Sequence, residues 1–301
     1  MILAPLALLL AMQGYSPETE AVMDRSRQRA ADKRAAAAEA AAAEKGKDSA
    51  KAQQPLPMAP DVAAKFQACL DAGTGNPDEG ARFAEAWRVD HGGFRARECL
   101  GFSLAKGERW TPATVAFEQA ADEAERGGSV PDGARLWAQA GNAALAGGDP
   151  AKARAHFDAA LARGLPDGIA KGEVYLDRAR ALVALNQPQA ARADMDRAIM
   201  QAPQDPLAWL LSATLARRMK DLPLARKHVA QAVKLSPDDA SVALEEGNVA
   251  ILSDQPDAAR AAWDRAVKIA PDSVSGKAAS ANLAELATQD SAKPQDAPKA
   301  N

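Results

Sequence analysis

One pattern occurs in three segments of the chain: PQAARADMDRAIMQAP at residues 188–203, LPLARKHVAQAVKLSP at 222–237 and PDAARAAWDRAVKIAP at 256–271. The segments start 34 residues apart, and each ends in proline. Each has alanine at its fourth and eleventh positions and a larger side chain between them, which is Met195, Val229 or Trp263. Because an α-helix turns once in 3.6 residues, these three positions share one helical face. The pattern therefore predicts helices that pack through a small–large–small face.

Each segment is the second half of a predicted helical hairpin. In the last copy the first helix is predicted at 243–252, a break follows at 253–256, and the second helix runs from about 257 to 269. Proline is tolerated in the first turn of a helix, whereas the residue before a proline resists the α conformation. The prolines that open and close the second helix therefore predict both of its ends.

The 34-residue period of paired helices resembles the tetratricopeptide repeat (TPR), whose antiparallel helices stack into a solenoid. Two further copies with looser spacing start near Ala134 and Phe94, a degenerate copy covers about 61–93, and a capping helix is predicted at 275–287. One helical pair cannot bury its apolar face alone, so the copies must stack. The resemblance implies an all-α fold, an α-α superhelix (TPR solenoid) of about five to six helical hairpins plus a C-terminal capping helix.

The first helices depart from the family pattern at one position. One copy keeps the family's leucine there, as Leu100. Other copies have a polar residue in its place: Arg178, Ser212 and Glu246. A small neighbouring residue is retained in five copies: Gly101, Gly141, Ala179, Ala213 and Gly247. These departures affect packing detail rather than architecture.

The chain divides into four predicted segments: 1–14, a signal peptide; 15–60, an Ala/charge-rich and Pro-rich spacer; 61–288, the TPR solenoid; and 289–301, a disordered tail. Ile2 to Met12 form an apolar run that is too short to span a bilayer and is typical of a secretory signal. A positive start is missing and the cleavage pattern is imperfect, so a misassigned start codon or a short amphiphilic end is the alternative. Export predicts a periplasmic location; without it the location is cytoplasmic.

Both cysteines, Cys69 and Cys99, fall on first helices of consecutive candidate copies. In the stack that the resemblance implies, such helices are neighbours. In an exported protein the two residues are therefore expected to form a disulfide. Two buried free thiols are the alternative.

Composition and motifs argue against several functions. The net charge of −3 and the pI near 5.8 argue against nucleic-acid binding, which uses a basic domain. The histidines lack a metal-binding spacing, and His156 and His228 share a position predicted on an exposed helix flank. The sequence contains no nucleophile elbow and no paired-cysteine zinc spacing. We therefore predict a chain that is not an enzyme and has no cofactor, metal, nucleic-acid partner or transmembrane span.

The resemblance places the binding surface on a concave wall that the first helices line. The implied inward positions, with two arginines one turn further along, are Asn142, Arg180, Thr214, Asn248, Arg217 and Arg218. An asparagine side chain offers a peptide backbone both a donor and an acceptor, and arginine attracts a carboxylate. The alternative for the asparagines is a hydrogen bond to neighbouring backbone.

We therefore predict a non-catalytic protein–protein interaction scaffold that binds an extended peptide or partner segment in the concave TPR groove. The alternative is a structural or assembly factor of the bacterial cell envelope that acts through self-association or through its convex face. The expected partner is a protein or peptide in either case.

Overall fold

The computed structural model describes residues 58–292, and all regular secondary structure in that range is α-helical. The thirteen helices of this range are α1 (Pro60–Gly75), α2 (Pro77–Val89), α3 (Gly93–Lys106), α4 (Trp110–Arg126), α5 (Val130–Ala146), α6 (Pro150–Ala162), α7 (Ile169–Ala184), α8 (Pro188–Gln201), α9 (Pro206–Arg218), α10 (Leu222–Leu235), α11 (Ala240–Leu252), α12 (Pro256–Ile269) and α13 (Val274–Ala292). The predicted all-α class is confirmed.

The helices pair in chain order into six hairpins, and α13 follows them. We call the first helix of each hairpin its A helix and the second its B helix. The described residues form two compact units, 58–203 with α1 to α8 and 204–292 with α9 to α13. In the first unit every helix packs on the next one, and α1 also packs on α3. In the second unit α13 packs on both α12 and α11, so it covers the last hairpin as the predicted capping helix.

Prolines and aspartates start many of the helices. Pro188 and Pro256 are the first residues of α8 and α12, as predicted. Four aspartate side chains cap the helices that follow them by accepting first-turn backbone N–H groups: Asp149, Asp205, Asp221 and Asp239. Such caps satisfy donors that the first helical turn cannot pair internally.

The turn inside the hairpins repeats with the same backbone geometry. Asn186, Lys220 and Asp254 stand 34 residues apart and have φ values of 56°, 64° and 59°. Gly148 holds the same place between α5 and α6, with φ of 78°. The left-handed region is unfavourable for a side chain such as that of Lys220, so propensity alone does not predict this turn. The backbone N–H of Lys220 donates to the carbonyl of Arg217, and this bond helps to terminate α9.

A small residue on the A helix faces a large residue on the B helix in the core of the hairpins. A Cβ on Gly141 would lie 2.5 Å from the ring of Phe157, and a Cβ on Gly247 would lie 2.4 Å from the ring of Trp263. The rings of Phe157 and Trp263 are fully buried. So are the paired alanines of the three strict copies: Ala191, Ala198, Ala225, Ala232, Ala259 and Ala266. The small–large–small face is therefore the packing face of the hairpins.

A disulfide joins Cys69 on α1 to Cys99 on α3, and both residues are fully buried. It connects the A helices of the first two hairpins across a sequence separation of 30 residues. Closing a loop of that size removes entropy from the unfolded chain and stabilises the fold by about 3–4 kcal/mol.

The described residues can be compared with the predicted segment boundaries at both ends of the chain. The helix α13 extends to Ala292, beyond the predicted end at 287 and into the segment predicted as a tail. The predicted signal peptide and nearly all of the predicted spacer lie outside the described residues. No helix of residues 58–292 combines the length and the apolar character that crossing a membrane requires.

Replacing Gly141 with alanine tests the small–large contact. We expect Gly141→Ala to lower the free energy of unfolding by about 1–3 kcal/mol, because the added methyl group collides with a ring in a filled core. Urea denaturation of the full chain measures the change.

The matched control is Gly75→Ala at the end of α1, where an added Cβ meets no atom within 4 Å. The control should leave the stability unchanged or raise it, since alanine is the better helix former. A Gly141→Ala protein as stable as the control would contradict the close contact.

Candidate functional site

The six residues predicted to line a binding groove fall in both units. Asn142 and Arg180 belong to residues 58–203, and the other four belong to residues 204–292: Thr214, Arg217, Arg218 and Asn248. We therefore take the two sets separately.

Asn142 on α5 is half-buried, and its side-chain oxygen has no water-accessible surface and no hydrogen-bond donor within the described residues. Leaving a buried acceptor without a donor costs about 1–3 kcal/mol. Rotation of this half-buried side chain toward the surface would let a donor on a bound ligand recover that cost. The buried oxygen makes Asn142 a candidate contact for a backbone N–H group.

Arg180 on α7 is buried, and its guanidinium donates to the carboxylate of Asp177 at 3.1 Å. Asp177 precedes Arg180 by three residues, a spacing that places both side chains on one face of the helix. The charge of Arg180 is therefore partly compensated inside the protein.

In the second unit, Asn248 is only 2% exposed and has a structural position. Its side-chain oxygen accepts hydrogen bonds from Nε1 of Trp263 at 3.2 Å and from Nδ2 of Asn282 at 3.1 Å. These bonds join α11 to α12 and to the capping helix α13. The predicted alternative, a bond to neighbouring backbone, is not what the structure contains: both donors are side chains.

Arg217 is also buried, and it forms a two-pronged ion pair with Glu245 on α11 at 2.7 and 3.1 Å. Thr214 donates to the backbone oxygen of Leu210 one turn earlier. Arg218 is the exposed member of this set. The side chains of Arg217 and Thr214 are thus engaged within the unit, which sequence spacing alone does not reveal.

A ladder of charges joins the A helices α3 and α5 in the first unit. Arg95 donates to Glu98 at 2.8 Å and to Asp132 at 2.9 Å, and Arg135 donates to Glu98 at 2.6 Å. Burial alone would raise the pKa of Asp132, but a hydrogen bond from Ser129 and the charges of Arg95 and Arg135 hold that pKa below its ordinary value. Both inter-helix pairs are 37 residues apart in sequence. That repeated spacing is a signal from which the ladder could have been predicted.

Beyond the ladder, the same faces of α3 and α5 carry a mixed aromatic and polar surface. Phe102 follows Glu98 by four residues, and Lys106 follows Phe102 by four with its ammonium 5.7 Å from the ring centre. Gln139 and Asn142 follow Arg135 by four and seven residues. Since residues three, four and seven apart share a helical face, the surface continues from the ladder. We call Phe102, Lys106, Gln139 and Asn142 the A-helix face.

The histidine prediction is wrong, because both side chains are buried rather than on an exposed flank. In the first unit, His156 stacks on Trp137, with ring centres 5.3 Å apart. The Nε2 atom of His156 lies 2.8 Å from a carboxylate oxygen of Glu118, but the contact is not aligned as a hydrogen bond. Burial lowers the pKa of His156 despite this nearby negative charge. In the second unit, His228 lies within hydrogen-bond distance of Ser212. An A-helix partner covers the B-helix flank in both cases.

Within residues 58–292 no cluster of histidine, cysteine, aspartate or glutamate has the geometry to hold a metal ion. Several of the described polar groups instead form ion pairs and hydrogen bonds between helices, such as Arg95 with Asp132 and Arg217 with Glu245. Such an arrangement offers binding surfaces to a partner. The A-helix face is the surface that contains Asn142, a predicted site residue whose side-chain oxygen has no hydrogen-bond donor within the described residues.

The tetratricopeptide repeat family model matches residues 176–240 and 210–274. No curated protein matches the chain. Among solved structures, PilW, described as a widely conserved type IV pilus biogenesis factor, is 19% identical with a TM-score of 0.61, over 73% of this chain and 98% of PilW. PilF of Pseudomonas aeruginosa is 15% identical with a TM-score of 0.57, over 74% of this chain and 99% of PilF.

A tetratricopeptide repeat protein from Parabacteroides merdae is 13% identical with a TM-score of 0.54, over 66% of this chain and 75% of that protein. At these identities the similarity concerns the fold alone. It confirms the predicted all-α class of the α-α superhelix. Residues 176–274 therefore match the tetratricopeptide repeat family model, and the fold of the chain is similar to that of TPR proteins.

Proposed function

We propose that this chain is a non-catalytic interaction scaffold that binds an extended peptide or partner segment on the A-helix face. A TPR fold is a scaffold for protein–protein interaction, since its stacked helices present long continuous surfaces. The finer proposal, that the ligand is extended and contacts Asn142, rests on the unsatisfied oxygen of that side chain.

The charge ladder supports this location because it fixes α3 beside α5. Glu98 and Asp132 are almost buried and are each shared by two arginines. Removing one partner from a buried pair typically costs about 3–5 kcal/mol, so the two helices resist separation. A rigid pair of helices lets Phe102 and Asn142 act together on one ligand without a large ordering cost.

The chemistry of the A-helix face suits a peptide backbone. An extended peptide presents an N–H and a C=O at every residue, and an asparagine side chain can pair with both. Phe102 is half-buried and offers apolar surface to a ligand side chain, while Lys106 is exposed and offers a positive charge to a carboxylate. We expect a ligand with one apolar residue and one acidic residue flanking the backbone segment at Asn142.

The remaining predicted residues enter this proposal differently. Arg180, Arg217 and Asn248 are buried and engaged in internal contacts, so we assign them to the stability of the units. A contribution to binding from exposed Arg218 stays a prediction.

Export to an oxidising compartment, and with it a role in the bacterial cell envelope, is the second part of the proposal. The supporting observation is the disulfide between Cys69 and Cys99, because disulfides persist in secreted and periplasmic proteins and are rare in the cytosol. PilW is described as a pilus biogenesis factor, but its similarity to this chain concerns the fold. The envelope role therefore rests on the disulfide and on the predicted signal peptide.

Substitution of Asn142 tests the peptide site. We expect Asn142→Ala in the full chain to weaken binding to an array of unstructured peptides, because the backbone N–H of the ligand loses its acceptor. The free energy of unfolding should stay constant or rise slightly, since the lost oxygen has no internal donor.

The matched control is Asn248→Ala, which removes the acceptor of two internal hydrogen bonds. It should lower the free energy of unfolding by about 1–3 kcal/mol and leave the peptide profile of the folded protein unchanged. An Asn142→Ala protein with the wild-type peptide profile would refute the assignment of Asn142.

Thiol labelling tests the export proposal. Protein isolated from its native compartment, unfolded to expose both buried side chains and treated with an alkylating reagent without reductant should gain no label at Cys69 or Cys99. After reduction and unfolding, mass spectrometry should find both residues labelled. Full labelling without reductant would mean that the protein resides in a reducing compartment.

A further inference from the structure

At two of the three junctions between B helices of the first unit, side-chain bridges lie along the middle of the helices. Between α4 and α6, Glu118 contacts Lys152 at 3.1 Å and His156 at 2.8 Å. Between α6 and α8, Arg178 of the intervening A helix donates to Asp158 at 2.7 Å and to Asp194 at 2.6 and 2.8 Å. Polar side chains therefore occupy the space between these B helices.

The junction between α2 and α4 is different. Its one inter-helix ion pair among the described residues joins Asp78 to Arg109 at 3.0 Å, at the start of both helices. Further along, Leu100 holds the sequence position that Arg178 has in α7, so no guanidinium reaches across. Arg97 of α3 bonds to Glu123 and Gln119, which both belong to α4. The space between α2 and α4 is left open.

Two adjoining cavities of about 700 Å³ and about 480 Å³ fill this space, and both border Glu85, Leu100 and Gln119. We call them together the B-helix groove. Apolar atoms form most of the surface of the larger cavity, from these residues: Ala81, Leu100, Leu104, Pro112, Val115 and Ala116. Val115 is 39% exposed although it is a large aliphatic residue. The B-helix groove is thus lined largely by apolar side chains and is open to solvent.

The rim of the B-helix groove is positively charged. Five arginines and three carboxylates line the two cavities. Within residues 58–292 no carboxylate pairs with exposed Arg82, and the side chain of exposed Arg126 bonds to the backbone oxygen of Asp122. Arg82 and Arg126 therefore offer charge to a partner from α2 and from the end of α4.

We propose that the B-helix groove binds an acidic amphipathic α-helix of a partner protein, independently of the peptide site on the A-helix face. Two B helices and the A helix beneath them form a trough like those that accept the apolar stripe of a helix. The 13 residues of α2 span about 20 Å, which matches three to four turns of a bound helix. The apolar residues of the partner helix would lie on Leu100, Leu104 and Val115, and the carboxylates of the partner helix would face Arg82 and Arg126.

Selection from a helical peptide library tests this proposal. The library varies 16-residue helices with one apolar face and with glutamate, lysine, glutamine or alanine elsewhere, and the bait is the full chain. Enriched helices should carry apolar residues at i, i+3 or i+4, and i+7, together with net negative charge. Their Kd should rise roughly tenfold or more for Val115→Glu, the effect expected for losing a central contact.

Arg82→Glu is a second variant. Arg82 is exposed and has no carboxylate partner in the described range, so the variant protein should fold and should bind the enriched helices more weakly. Arg226→Glu on α10 is the matched control, since Arg226 is also an exposed B-helix arginine, and it should leave the Kd unchanged.

Three results would overturn the proposal. One is that no enriched helix distinguishes wild type from Val115→Glu and Arg82→Glu. Another is that the helices that do distinguish them are basic. The third is that light scattering finds a dimer which Val115→Glu dissociates, because a second copy of this chain would then occupy the groove.

Discussion

The contact between a small A-helix residue and a large B-helix residue is the constraint on which the hairpins depend. Gly101, Gly141 and Gly247 each face a ring so closely that an added methyl group would come within 2.8 Å of it. Glycine is a poor helix former, so its presence inside three A helices costs about 1 kcal/mol at each position. The close approach of the paired helices offsets this cost, because it buries a whole phenylalanine or tryptophan side chain.

This packing leaves two kinds of surface for partners in residues 58–203. The A helices α3 and α5 are held side by side by the Arg95–Asp132 and Glu98–Arg135 pairs, so the outer faces of these two helices form one surface. Polar side chains bridge the middle of the B helices except between α2 and α4, where one ion pair lies at the helix starts and Leu100 holds the position of the bridging arginine. The hairpin core is therefore common to the copies, whereas the residues around it make each junction chemically distinct.

The repeat period predicts much of the fold, because its contacts lie within one copy or between adjacent copies. The helix starts at Pro188 and Pro256 are of this kind. The candidate site was less predictable, since its contacts depend on partners outside the pattern. The position of Asn248 is set by Asn282 from α13, a helix that does not belong to the repeat. The period predicts an exposed His156 because it indicates which helical face a residue lies on and not that the ring of Trp137 covers that face.

The helices of one hairpin are expected to fold only when they pack on the neighbouring hairpin. The helicity of one hairpin in isolation is the most direct measurement of this dependence. A synthetic fragment of residues 206–235, which contains α9 and α10, has short helices whose apolar sides pack on α11 in the intact chain. We predict that the fragment has the far-ultraviolet circular dichroism spectrum of an unfolded chain at a temperature where the full protein is helical, because helices of this length are marginal without tertiary packing. A monomeric fragment with native helicity and a cooperative thermal transition would contradict it.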